Sequence, residues 1–229
     1  MLLVSFCRTV ILLSEFCILH SRFYLLMLWQ ILLFDGFDEL DAVAPFEVLQ
    51  MAAARVPEWR VELVAVEGPR EITANHGLRL HATGKLGPTS GLGRPDVIIV
   101  PGGGWVDRKA HGARAEVTRG LIPKALGELS RSGTLVCSVC TGAMLVAAAG
   151  LLRNRPATTH HAALEDLRAA GAKIISARVV DAGDLVTAGG VTSGLDLALH
   201  LVGRFSSPAL ARQLEGTLEY EQREEAWKG

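Results

Sequence analysis

Thr134-Leu135-Val136-Cys137-Ser138-Val139-Cys140-Thr141-Gly142-Ala143-Met144 reads as an apolar strand that runs without a linker into a helix of small residues. A side chain at such a junction is held in a tight turn, above the C-terminal edge of the sheet. Open α/β sheets bind their ligands at that edge. The helix start that follows Cys140 offers unpaired N–H groups and a partial positive charge, both of which favour thiolate over thiol. The competing reading is a buried cysteine serving as a small apolar residue. Position at the junction favours a functional Cys140. Cys137 and Cys140 also match C-x-x-C. A redox pair wants its first cysteine exposed at a helix start, whereas Cys137 lies inside the strand, and a zinc site would need a second such pair. Cys137 is therefore assigned to the core, and no metal is expected.

Outward from this junction, short apolar runs alternate with helical spacing. Leu28–Phe34 is a buried strand ended by Asp35-Gly36. Ala42–Arg55 has helical spacing, with Asp41 placed to cap it and Pro45 tolerated in its first turn. Val61–Val66 is a second strand, and Glu71–His81 a hairpin around Asn75-His76-Gly77. Val97–Val100, four β-branched residues in a row, marks a strand covered on both faces. Gly102-Gly103-Gly104 turns the chain into a helix predicted over Ala113–Ser130, then comes strand Thr134–Val139. The helix Thr141–Ala149 ends at Gly150, a residue suited to a left-handed cap. Short strands follow at Ala157–Thr159, Lys173–Ser176 and Ala177–Asp181, with helix Ala162–Ala170 and its cap Gly171 among them. Asp181-Ala182-Gly183-Asp184 turns into strand Leu185–Ala188, and a pair of helices runs from Ser193 to about Tyr220. This alternation predicts a flavodoxin-like three-layer α/β/α sandwich with a mainly parallel sheet.

Composition narrows the function. Lys and Arg number 23 against 24 Asp and Glu, a formal net charge of −1, so no general field attracts nucleic acid or an anionic membrane. Aromatics at 6% leave no stacking platform for RNA. Four cysteines in 229 residues do not make a disulfide framework. The class expected is a soluble, cytoplasmic, enzyme-sized protein. Residues 1–26 are anomalous: mostly apolar, interrupted by Arg8, Glu15, His20 and Arg22, and without the charge-free length of a spanning helix. They read as a membrane-associating helix, an extra packed helix, or translated sequence upstream of the natural start. Met27, directly before the first strand, favours the third. Residues 27–229 are expected to form one domain.

Pro101-Gly102-Gly103-Gly104, Ser138-Val139-Cys140-Thr141-Gly142, Ala157-Thr158-Thr159-His160 and Gly189-Gly190-Val191-Thr192-Ser193-Gly194 follow one another in the order found in the DJ-1/PfpI superfamily, which the chain resembles from about Trp29 to Tyr220. Leu40-Asp41 and Gly189 through Asp196 look most like its isocyanide hydratase branch. The same signatures occur in the class I glutamine amidotransferase-like domains of AraC-type regulators. Those carry a helix-turn-helix pair, for which the short stretch after Tyr220 is expected to leave no room.

The resemblance implies that Cys140 is the nucleophile and Asp41 the carboxylic acid beside it. An ionised Asp41 would oppose thiolate formation by like-charge repulsion, so the pair is expected to share one proton, neutral Asp41 donating to a Cys140 thiolate. Helix capping is the plainer role for Asp41, and both can hold. Thr141 would orient a water; otherwise it is an ordinary first-turn residue. The Gly103 and Gly104 N–H groups would stabilise negative charge, or the glycines simply make a tight turn. His160 stands where some superfamily members pair a histidine with the cysteine, although a histidine at a strand end more often plays a structural part. His161 replaces an aromatic expected in the hydratase branch. His76, His81 and His111 read as solvated surface, and Asp196 as a cap or an interface pair. The activity implied is cofactor-free addition of water to a small neutral electrophile such as an isocyanide, giving an N-substituted formamide. Glyoxalase or deglycase chemistry and a ligand- or oxidant-sensing role are the alternatives. The partners implied are a small-molecule substrate and a second copy in a homodimer.

Overall fold

In the computed structural model the described residues are 26–229; the readings made for residues 1–25 lie outside them. Eight strands form the main sheet. In chain order they are β1 (Met27–Leu32), β2 (Trp59–Ala65), β5 (Gly84–Lys85), β6 (Val97–Val100), β7 (Leu135–Val139), β10 (Val179–Asp181), β11 (Leu185–Ala188) and β12 (Trp227–Lys228). Their spatial order is β12-β10-β11-β7-β6-β1-β2-β5. Pairings are parallel from β11 to β5, while β10 runs antiparallel to β11 and carries β12 with it. Two small sheets stand apart: the hairpin β3 (Arg70–Thr73) with β4 (Arg79–Ala82), and β8 (Pro156–Ala157) with β9 (Lys173–Ile174). The predicted strand over Lys173–Ser176 is thus shorter than its apolar run, and it pairs outside the main sheet.

Helices cover the sheet in two groups. α1 (Glu39–Ala53), α6 (Ser193–Phe205) and α7 (Pro208–Leu218) pack on one another. α2 (Ala113–Arg119), α3 (Leu121–Arg131), α4 (Gly142–Ala148) and α5 (Leu164–Ala169) form the second group. The three-layer α/β/α sandwich follows. Every residue of β6 and β7 is buried, as strands covered on both faces require. Burying Ile98 and Ile99 alone stabilises the fold by about 1.5–3 kcal/mol each.

Two local expectations are corrected. The single helix over Ala113–Ser130 is broken at Gly120, whose φ of +78° ends α2 and starts α3. The N-cap of α1 is Asp38, not Asp41. Asp41 lies in the first turn and faces inward, because the helix begins three residues earlier than its apolar spacing suggests. Beyond Tyr220 the chain adds β12 to the sheet edge. Among the described residues no helix is long and apolar enough to cross a membrane.

Candidate active site

β7 delivers Cys140 to the C-terminal edge of the sheet with φ at +56°, a conformation a non-glycine residue adopts at a cost of about 1–3 kcal/mol. Its neighbours hold it there. The Cys140 N–H donates to the carbonyls of Ala188 (3.1 Å) and Gly189 (2.8 Å), and its own carbonyl accepts the Thr159 hydroxyl at 2.7 Å. The residue is 6% exposed, so the sulfur is more covered than a position at the mouth of an open crevice would leave it. A cavity of about 450 Å³ runs along Thr159, His160, Gly190 and Val191, beside the cysteine's hydrogen-bond partners.

Asp41 is fully buried. Its Oδ2 accepts the Gly102 N–H at 2.9 Å, and its Oδ1 is buried without a hydrogen-bond partner. Burial raises its pKa well above the usual carboxylate range, the Asp38 charge adds to this, and the Gly102 N–H and the Cys140 thiol act against it. Burial and the Asp41 charge likewise push the Cys140 thiol up, while the Thr141 and Val191 N–H groups pull it down. The two groups are therefore coupled. A proton on Asp41 removes the strongest charge repulsion on the sulfur and leaves two N–H donors to stabilise a thiolate.

The glycine turn between β6 and α2 is shaped by close backbone approach. A Cβ on Gly102 would stand 2.4 Å from the Thr141 N, and one on Gly103 would stand 2.4 Å from the Gly36 carbonyl oxygen. The Gly103 N–H, expected to face a ligand, is taken by Thr141 Oγ1 at 2.9 Å. Thr141 therefore accepts from the glycine turn rather than capping α4, and its own O–H remains to donate. Gly104 lies against the His111–Gly112 backbone.

His160 takes a local structural role. Its Nδ1 accepts the Ala162 N–H at 3.2 Å, capping a short 3-10 turn, and its ring lies against Gly190 and stacks on His161. Burial, followed by the neighbouring His161, lowers its pKa and favours the neutral ring. The charges acting most on Cys140 are Asp41 and Asp38. His76 is exposed but bound to Glu39 at 2.8 Å. Asp196 is not free for an interface: it is 0% exposed and paired within the chain to Arg178. Cys137 is fully buried, and neither it nor Cys140 is in a disulfide.

A cysteine on a left-handed elbow with a buried acid beside it agrees with the family match: the DJ-1/PfpI family model covers residues 30–204. The chain belongs to the DJ-1/PfpI family. It is 35% identical over 189 residues to an isonitrile hydratase of Pseudomonas putida, covering 82% of this chain and 76% of that one. It is 30% identical over 188 residues to the HTH-type transcriptional regulator CdhR of Pseudomonas aeruginosa, covering 80% of this chain and 52% of the regulator. The chain thus spans about half the length of that relative. A THiJ/PfpI family protein of Pseudomonas syringae superposes with a TM-score of 0.74 at 25% identity, covering 85% and 75% of the two chains.

Three DJ-1/PfpI site features escaped the reading of the sequence. Gly102, the glycine before the two expected to serve the site, supplies the N–H that fixes Asp41. Asp38 places a second carboxylate near the pair. Val191 stands in the left-handed region with φ at +44°, and its N–H acts to lower the Cys140 thiol. The Gly-Gly before Val191 was the available signal, but nothing local marks a β-branched residue for the left-handed region.

Proposed function

We propose that this DJ-1/PfpI protein is a cysteine hydratase that adds water to a small, neutral isonitrile and releases the N-substituted formamide, with Cys140 as nucleophile and Asp41 as its proton partner. The observation that carries the reading is the Asp41 carboxyl: fully buried, anchored through one oxygen and unpaired at the other, with the Cys140 thiol in reach. Burial that raises the pKa of this acid equips it to deliver a proton in an apolar site. The similarity to an isonitrile hydratase supports the substrate class.

The Cys140 thiolate forms a bond to the terminal carbon of the isonitrile, and the Asp41 proton passes to that same carbon, leaving a thioimidate on the enzyme. Water then adds across the carbon–nitrogen double bond, its hydroxyl going to carbon and a proton to nitrogen. Collapse of this adduct breaks the carbon–sulfur bond, frees the formamide and regenerates the thiolate, while Asp41 recovers a proton. Thr141, with its O–H free to donate, would orient the water. Gly104 would donate its N–H to developing charge, and Gly103 would join only if Thr141 let go of it. The reaction needs no metal or cofactor. A homodimer and a cytoplasmic setting belong to the same reading and rest on the family resemblance.

Incubation with an alkyl or aryl isonitrile is expected to yield the formamide, and Cys140→Ala is expected to abolish it. Turnover that survives in the alanine variant rejects the nucleophile. Ultraviolet titration of the thiolate is expected to differ between wild type and Asp41→Asn; superimposable curves would remove the shared proton. The similarity to a transcriptional regulator, together with the low exposure of Cys140, favours a second reading: a ligand-sensing domain that binds an electrophile without turnover. Binding without formamide release would select it.

A further inference from the structure

The turn from Gly189 to Ser193 is held by Arg178, the residue just before β10, through both its backbone and its side chain. The Arg178 carbonyl accepts the Gly189 N–H at 2.9 Å, and its Nη2 donates to Thr192 Oγ1 at 3.1 Å. Arg178 therefore grips both ends of the segment that contains Val191. Its guanidinium is seated on the buried Asp196, through Nε at 2.8 Å and Nη2 at 2.5 Å. Asp196 also accepts the Tyr220 O–H at 2.9 Å and the Arg223 N–H at 3.1 Å, and the Arg178 N–H donates to Glu224. The C-terminal segment thus closes the far side of the clamp. A non-glycine residue keeps a left-handed conformation only where its surroundings over-determine it, and a planar guanidinium can hold two acceptors at a fixed angle.

We propose that Arg178 is a positioning residue for Cys140: seated on Asp196, its guanidinium holds Thr192 and so fixes the turn whose Gly189 carbonyl accepts the Cys140 N–H at 2.8 Å. The inference rests on Cys140 as the reactive thiol and is independent of which electrophile is turned over. The charged groups acting on that thiol, Asp41 in α1 and its N-cap Asp38, are left untouched by the variants that test it.

Thr192→Val removes the acceptor and leaves the Arg178–Asp196 pair intact. Arg178→Lys keeps a cation on Asp196 but replaces the fork by a point charge. The full chain is titrated by ultraviolet thiolate absorbance, each variant against the same variant carrying Cys140→Ala, with thermal melting in parallel. Loosening the turn that holds the Cys140 backbone lets the sulfur move away from the N–H groups that favour its thiolate, so the Cys140 midpoint moves upward. At a fixed pH below the midpoint the thiolate fraction is expected to fall about three- to tenfold in both variants. A midpoint equal to that of wild type overturns the proposal, whatever the melting temperature does, because Arg178 then serves the fold alone. If Arg178→Lys does not fold, Thr192→Val decides by itself. Formamide release in wild type is read separately, so failure of the clamp and failure of the hydratase reading are distinguishable.

Discussion

Val191 and Cys140 both stand at positive φ, on turns joined by the Cys140 N–H donating to the Gly189 carbonyl at 2.8 Å. Holding Val191 there costs about 1–2 kcal/mol that glycine would not incur. Glycine, however, adds unfolded-state entropy worth about 0.4–1 kcal/mol. Val191→Gly is therefore expected to change stability by less than about 1 kcal/mol, read from urea midpoints. A loss of several kcal/mol would show that the side chain, not the backbone, is what matters at 191. Asp41 carries the residue-scale pH dependence. Burial and then Asp38 raise its pKa in the folded state, so its proton is held more tightly there than in the unfolded chain. Its stabilising contribution is complete below the usual carboxylate pKa of about 4 and is lost as pH rises through the raised value. Melting curves of wild type are expected to fall relative to Asp41→Asn between mildly acidic and alkaline pH. A constant difference would show Asp41 ionised throughout.

At the scale of elements, two glycines in helical segments do opposite things. Gly120 breaks a helix at φ +78°, whereas Gly127 continues α3 without interruption. Nothing lies within 4 Å of a Cβ built on Gly120, so Gly120→Ala is expected to cost only the conformational term, about 1–2 kcal/mol. Gly142 differs: a Cβ there would stand 2.1 Å from the Val100 carbonyl oxygen and would push α4 off the end of β6. Gly142→Ala is expected to cost more, and also to shift the thiolate titration of Cys140, which Gly120→Ala leaves in place. Equal effects of the two substitutions would contradict the close approach of α4 to β6. Strands β6 and β11 have the predicted bounds because both faces of each are covered, which leaves an uninterrupted apolar run. The α2–α3 break was hidden because a glycine's tolerance of φ > 0 does not say whether the chain uses it.

For the whole molecule, ionisable groups set opposing slopes in pH. Asp181 is buried, but His200 at 2.8 Å, the Gly183 N–H and Arg204 outweigh the burial and lower its pKa. Asp35 is lowered in the same sense: the Thr73 N–H and Arg70 outweigh its burial. Stability from these two is present above the usual carboxylate pKa and lost as pH falls through the depressed values. Asp41 contributes with the opposite sign. Urea unfolding is thus expected to show a weakening acid limb that is flatter in Asp181→Asn than in wild type. An unchanged limb would mean that the Asp181, His200 and Arg204 cluster survives in the unfolded chain or contributes nothing.

The amino-acid sequence alone determined the strand–elbow–helix order, the sandwich class and Cys140 as the residue to watch, because each depends on neighbours within a few positions. Tertiary structure decided the rest. Gly102 meets Asp41 across 61 residues, and Arg178 ties Thr192 and Asp196 to the C-terminal segment. Asp41 looked like a cap because a carboxylate near a helix start is rewarded locally; only burial beside the turn after β6 raises its pKa. Hydrogen bonds between distant segments leave no periodicity in the chain that makes them, and so they are seen only once it has folded.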